Sequence, residues 1–265
     1  MARIRAAQFD ERLTLVEHLD ELRTRIFVAG GALVLAAVLC FWQNHLLIDI
    51  ANGPLPDGFE PITFSVGEPF LTTLTLTVYG AILLTLPVIL YQVYAFALPA
   101  FSPTERRVVL PLLLMVPFLF VGGVVFAYYV VTPAAVDFLL NFNADEFNIQ
   151  VRAREYYSFF ALSLISVGVL FQIPVGVLAV TRMGIVTPAQ LTSNRRYAIL
   201  AIAVLAMLLP GTDPITMLIS MVPLLILYEF SILLARAFGA PRTEPAERAR
   251  KAERGSPTAP GDPLP

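Results

Sequence analysis

The sequence predicts an all-α integral membrane protein: a concave six-helix transmembrane bundle with short fifth and sixth helices. Three observations carry that expectation. The 265 residues are 57% hydrophobic and only 14% charged, with a mean hydropathy of +0.73. Soluble chains hold about 25% charged residues, so this one lacks the polar groups to cover a water-facing surface. Six apolar runs are bounded by arginines or turn residues. Of the 18 Lys and Arg residues, only Arg152 and Arg154 fall on one side of these runs. By the positive-inside rule the other side is cytoplasmic and holds both termini.

The elements follow in chain order. Residues 1–25 are charged throughout, with no short apolar stretch ending in small residues. No cleavable leader is expected, and the mature chain is expected to start near Met1. Crossing about 30 Å of hydrocarbon takes about 20 apolar residues. Span one is placed at 26–47, span two at 69–96, span three at 108–131 and span four at 156–180. Span five, 197–209, would rise only about 20 Å at 1.5 Å per residue. PGTDP at 210–214 separates it from span six, 215–235. Spans five and six read either as a re-entrant pair or as short true spans beside a thinned bilayer, and the second reading is preferred. Residues 1–238 form one six-span domain, and 239–265, poor in large apolar residues, is expected to be a disordered cytoplasmic tail.

Two outer segments look like ordered caps. Residues 48–68 carry three prolines, three glycines and no Lys or Arg, with Leu55, Phe59, Ile62 and Phe64 among them. Residues 132–155 are acidic but include Phe138, Leu139, Leu140 and Phe142. Within the spans, Pro87, Pro111, Pro117, Pro174 and Pro223 each remove a backbone donor and bend a helix, which opens the bundle toward a concave shape.

Polar residues at depth are few. Gln172 lies mid-span in GVLFQIPVGV, and Glu229 lies in LILYEFSILL about two turns before Arg236. An ionisable group in a span costs about 2.5–3.5 kcal/mol even on lenient scales and is a functional candidate. Glu229 could equally bond a neighbouring helix or reach the inner interface, and Gln172 could make an interhelical hydrogen bond. His18 and His45 sit at opposite ends of span one, and the single cysteine, Cys40, lies in an apolar run. No hydrolase motif, phosphate loop or metal cluster emerges. The expectation is a non-enzyme without cofactor or metal and without a nucleic-acid partner. A small-solute secondary transporter remains the alternative function.

Five stretches carry a family resemblance: EHLDELRTR before span one, PVILYQVYAFALPAFSPTERRVVLP joining spans two and three, FAYYVVTPAAVDFL leaving span three, FQIPVGVLAVTRMGIVTPAQLTSNRRYAIL through span four, and MLLPGTDPITMLISMVPLLILYEFSILLAR at the end. From about residue 9 to residue 238 the chain resembles TatC, the multispanning subunit of the twin-arginine protein translocase. LPAFSPTERR is the most specific of these segments. The resemblance implies six spans in a glove-like bundle and binding of twin-arginine signal peptides on folded cargo. It further implies TatA-type and TatB-type single-span partners, a homo-oligomer within a complex, and transport driven by the proton-motive force. It also implies that Glu21 and Glu105 read the arginine pair. Phe96, Arg106 and Pro54 match positions tied to signal binding or assembly. Asp213 matches the acid of the short turn, and Glu229 a polar position linked to the partners. Many members carry glutamate where this chain has Gln172, which keeps hydrogen bonding without titration and is read as a docking group.

The chemistry suits the task. A guanidinium presents donors in a fixed fork that fits a carboxylate, so two tandem arginines call for two carboxylates at a set separation. Leu15, Leu19, Leu22 and Ile26 form one helical stripe, with Glu17 and Glu21 on another face. The competing readings are local. Glu21 and Arg25 could be a simple i, i+4 surface pair worth about 0.3–0.5 kcal/mol. Glu105 could belong to a helix first turn behind Ser102 as N-cap.

Overall fold

The structure, a computed structural model, describes residues 15–97, 103–182, 185–210 and 213–238, with side chains for 18–96, 114–182, 185–210 and 213–237. The expected tail at 239–265 lies outside the described residues. Among these residues all regular elements are helical: α1 (Leu15–Trp42), α2 (Asn44–Asn52), α3 (Glu68–Ala97), α4 (Pro103–Phe126), α5 (Thr132–Asn141), α6 (Ala153–Leu170), α7 (Ile173–Arg182), α8 (Pro188–Ser193), α9 (Arg195–Met207) and α10 (Pro214–Phe238).

Five stretches are long and apolar enough to cross a membrane: His18–Trp42, Glu68–Phe96, Leu114–Asn141, Ala153–Arg182 and Pro214–Ala237. The 13-residue α9 rises only about 20 Å, so the short fifth helix stands. The expected short sixth helix is corrected: α10 has 25 residues, about 37 Å of helix. Pro214, the last residue of the PGTDP segment, is its first residue, where a missing N–H costs nothing.

Three spans are interrupted. Gln43, with φ −98° and ψ 33°, separates α1 from α2. A π-helical turn, Ala127–Val131, joins α4 to α5 just ahead of Pro133. Pro133 has no N–H to offer the carbonyl four residues back, and the wider turn accommodates the missing bond. Phe171 and Gln172 break span four, with α7 starting immediately before Pro174. Pro87 and Pro223 lie inside α3 and α10.

The core forms where these helices meet. Ala127, Val131, Tyr156, Phe160, Leu164 and Val167 pack with Leu76 and Ala51. A second cluster, Ile202, Leu224, Tyr228 and Ile232, joins α9 to α10. α4 and α6 approach closely through glycine: a Cβ added at Gly123 would stand 2.9 Å from the Gly168 Cα. Packing is the main force holding helices together in lipid, and small residues allow it. A hollow of about 320 Å³ remains between α1, α3, α4 and α6, lined by Cys40, Leu47, Gly80, Pro87, Val124 and Leu164.

The two outer segments are ordered. Ile62 and Arg152 form a parallel bridge, with the Ile62 N–H donating to the Val151 carbonyl at 2.8 Å and the Ala153 N–H to the Ile62 carbonyl at 2.9 Å. Tyr156 donates to the Ala51 carbonyl at 2.6 Å and Tyr157 to Asn52 Oδ1 at 3.0 Å. Pro54, half-buried, follows Gly53, where an added Cβ would meet the Tyr128 hydroxyl. Glu68, only 5% exposed, accepts from the Phe64 N–H at 2.8 Å and from Arg152 Nε at 2.7 Å. The Glu68 carboxylate, and less strongly Glu155, holds the Arg152 guanidinium above its ordinary value.

Gly123→Val forces a branched side chain against the backbone of α6. It is expected to cost about 1–3 kcal/mol, read as a lower thermal midpoint in detergent. Glu68→Gln keeps the shape but removes the charge facing Arg152, and should lower the midpoint by about 2–4 °C. An unchanged midpoint would show that the outer caps are not held through this pair.

Candidate functional site

Among the described side chains, a polar arrangement lies between α1 and the last turns of α3, at the end of the bundle that carries the start of α1. Glu21 is the seventh residue of α1, and one turn on, Arg25 approaches it through Nε at 3.0 Å and through Nη2, both on Oε1. Arg25 Nη1 also donates to Gln92 Oε1 on α3 at 2.8 Å. The other Glu21 oxygen lies 3.7 Å from His18 Nδ1. The His18 ring stacks on Phe96, with centroids 4.2 Å apart and planes 11° apart. Both members of the Glu21–Arg25 pair are about a quarter exposed. They are neither sealed in the core nor freely solvated.

This local packing follows from helix geometry. His18, Glu21, Leu22 and Arg25 recur at three- and four-residue spacings, so they share one face of α1. Gln92 and Phe96, four apart, share one face of α3. The two faces oppose each other because α1 packs chiefly along α3. Below the polar groups lies an apolar pocket of about 180 Å³ lined by Leu22, Ile26, Ala29, Ile89, Val93 and Phe96. Of the leucine stripe, Leu22 and Ile26 line this pocket against α3, while Leu19 is 64% and Ile26 61% exposed.

The remaining predicted residues separate. Glu105 and Arg106 fall on the first turn of α4, and their side chains lie outside those described. Glu229 is exposed and pairs with Arg195 on α9 at 2.8 Å, the bond to a neighbouring helix that the sequence offered as one reading; it lies toward the same end of the bundle as Glu21. Gln172 is buried, and its Nε2 donates to the Val116 carbonyl at 3.2 Å while its Oε1 has no partner. That is the interhelical bond the sequence offered as the simpler reading. Asp213, also buried, accepts from the Thr216 N–H at 2.7 Å and caps α10. His18 and Gln92 are the members that sequence reasoning missed. Their only signal was position: His18 three residues before Glu21, and Gln92 one turn before Phe96.

A family model described as Sec-independent protein translocase protein (TatC) matches residues 17–223. The chain belongs to the TatC family. A Sec-independent protein translocase protein TatC from Carboxydothermus hydrogenoformans is 35% identical over 241 residues, covering 90% of this chain and 99% of that protein. A chloroplastic TATC from Arabidopsis thaliana is 36% identical over 221 residues, covering 83% of this chain and 65% of that longer protein. Among solved structures, a crystal structure of the twin-arginine translocase receptor TatC superposes with a TM-score of 0.68 at 32% identity, covering 84% of this chain and 99% of the other. A second, of the same receptor in a maltoside detergent, gives 0.71 and 32%. Both share the six-span fold, so the short α9 counts as the fifth span. The chain is therefore a membrane-embedded component of the protein translocase type, and the solute-transporter alternative falls away.

Within the TatC fold, Asp213 has a measurable structural duty. Asp213→Ala removes the cap of α10 and should cost about 0.5–2 kcal/mol, whereas Asp213→Asn keeps an accepting oxygen and should lose less. The measurement is thermal unfolding of the two variants side by side.

Proposed function

We propose that this chain is the subunit that receives twin-arginine signal peptides of folded cargo. It lies in the cytoplasmic membrane, with both termini and the Glu21 end facing the cytoplasm. Glu21 and Glu105 each take one arginine of the pair, while Phe96 and Arg106 border the site. The observation that carries this reading is the quarter-exposed Glu21 carboxylate, whose neighbour His18 stacks on the Phe96 ring, at the end where α3 leaves and α4, with Glu105 as its third residue, begins. Support comes from the similar solved structure, which is titled a twin-arginine translocase receptor. The skewed distribution of Lys and Arg favours the orientation.

The reading extends to assembly. The chain acts in a complex with TatA-type and TatB-type single-span proteins and further copies of itself, and transport draws on the proton-motive force. Glu229 is the polar residue on the surface, and it is assigned to contact with a single-span partner. Gln172 is buried against α4, so a partner reaches it only if α4 and α7 part. Pro54 holds the outer cap in which it sits.

Charge-assisted bonds are worth roughly 1.5–3 kcal/mol each, so loss of one carboxylate reads out directly. Glu105→Gln should weaken binding of a twin-arginine peptide at least about tenfold at unchanged expression. Photocrosslinking from position 105 should capture that peptide and spare one with two lysines. Equal binding by variant and wild type would refute the assignment.

A further inference from the structure

Glu21 is already engaged. Two N–H groups of Arg25 converge on Oε1, and the third donor direction of the same guanidinium is anchored on Gln92 from the neighbouring helix at 2.8 Å. The second carboxylate oxygen is flanked by His18, which is itself held flat against Phe96. An isolated i, i+4 pair on a helix surface needs no third partner. Here the arginine is tied to two helices and is only 23% exposed. The group on Glu21 is chemically the one that a leader arginine would bring.

We infer that Arg25 is a resident competitor at the Glu21 half of the site, and that it lowers the affinity for any leader that must displace it. The inference rests on the receptor reading above. A visiting guanidinium can replace Arg25 bond for bond, because it offers the same planar fork. A lysine ammonium is a point charge and cannot present two N–H groups in that rigid plane. The cost of displacing Arg25 falls equally on both ligands, so Arg25 sets how tightly a leader is held while the guanidinium fork sets which leader is preferred. Gln92 stabilises the resting arrangement. The apolar pocket beside the Arg25 stem, about 180 Å³, gives that stem room to turn when its head group is displaced.

The test uses the full chain in lipid nanodiscs, titrated with a twin-arginine leader peptide and its twin-lysine version. Arg25→Gln should bind both peptides at least about threefold more tightly, with the arginine-to-lysine ratio kept. Arg25→Lys keeps the charge without the fork and should shift both in the same sense, by less. Gln92→Leu leaves Arg25 in place but removes its anchor on α3. It should give a smaller gain in affinity for both peptides, and it stands in if Arg25→Gln does not fold. Unchanged or weaker arginine-peptide binding by Arg25→Gln overturns the inference while leaving the receptor reading standing. Glu21→Gln in the same assay separates the two ideas: no loss of arginine-peptide binding there would sink the receptor reading and the inference together.

Discussion

The structure depends on one constraint: backbone donors and acceptors in hydrocarbon have no water to turn to. That requirement makes the chain helical throughout its spans and confines its irregularities to places where neighbours can repair them. The break at Phe171–Gln172 is buried between helices, and the Gln172 amide bridges it to the Val116 carbonyl of α4. The open first turn of α10 is capped by Asp213. The wide turn ahead of Pro133 stays in register because Ala127 and Val131 remain fully packed.

The same constraint drives charge to the ends, and the two ends use it differently. At the end that carries the Ile62–Arg152 bridge, Glu68 is nearly inaccessible and Arg152 closes over it, with Phe64 beneath the guanidinium at 5.5 Å. That pair joins segments 84 residues apart and serves the fold. At the other end the Glu21–Arg25 and Glu229–Arg195 pairs keep a quarter to a half of their side chains in reach of solvent. Ion pairs of that exposure contribute little to stability and are correspondingly easy to exchange for a ligand.

Much of this was legible in residue order. Six apolar runs gave six membrane segments because the hydrocarbon thickness sets their length. The short fifth helix followed from thirteen residues between Arg195–Arg196 and the PGTDP turn. The sixth was misjudged because the helix reaches past the apolar run at both ends: Pro214 starts it, and Arg236, Ala237 and Phe238 continue it. Glu21 and Phe96 could be named from motif context. Their neighbours could not, since Gln92 meets Arg25 across 67 residues and a single sequence carries no trace of such a pairing. Glu229 met the neighbouring-helix bond that the sequence offered for it, but its partner, Arg195 on α9, lies 34 residues earlier and could not be named in advance.

The lone sulfhydryl offers a practical consequence. Cys40 is 6% exposed and packs against Ala36 and Ala81 inside the hollow of the bundle, away from aqueous thiol reagents. A second thiol placed at either rim would be the one that water-soluble spin labels and fluorophores find. The native chain is thus its own silent background for spectroscopy, without any need to engineer a cysteine-free parent.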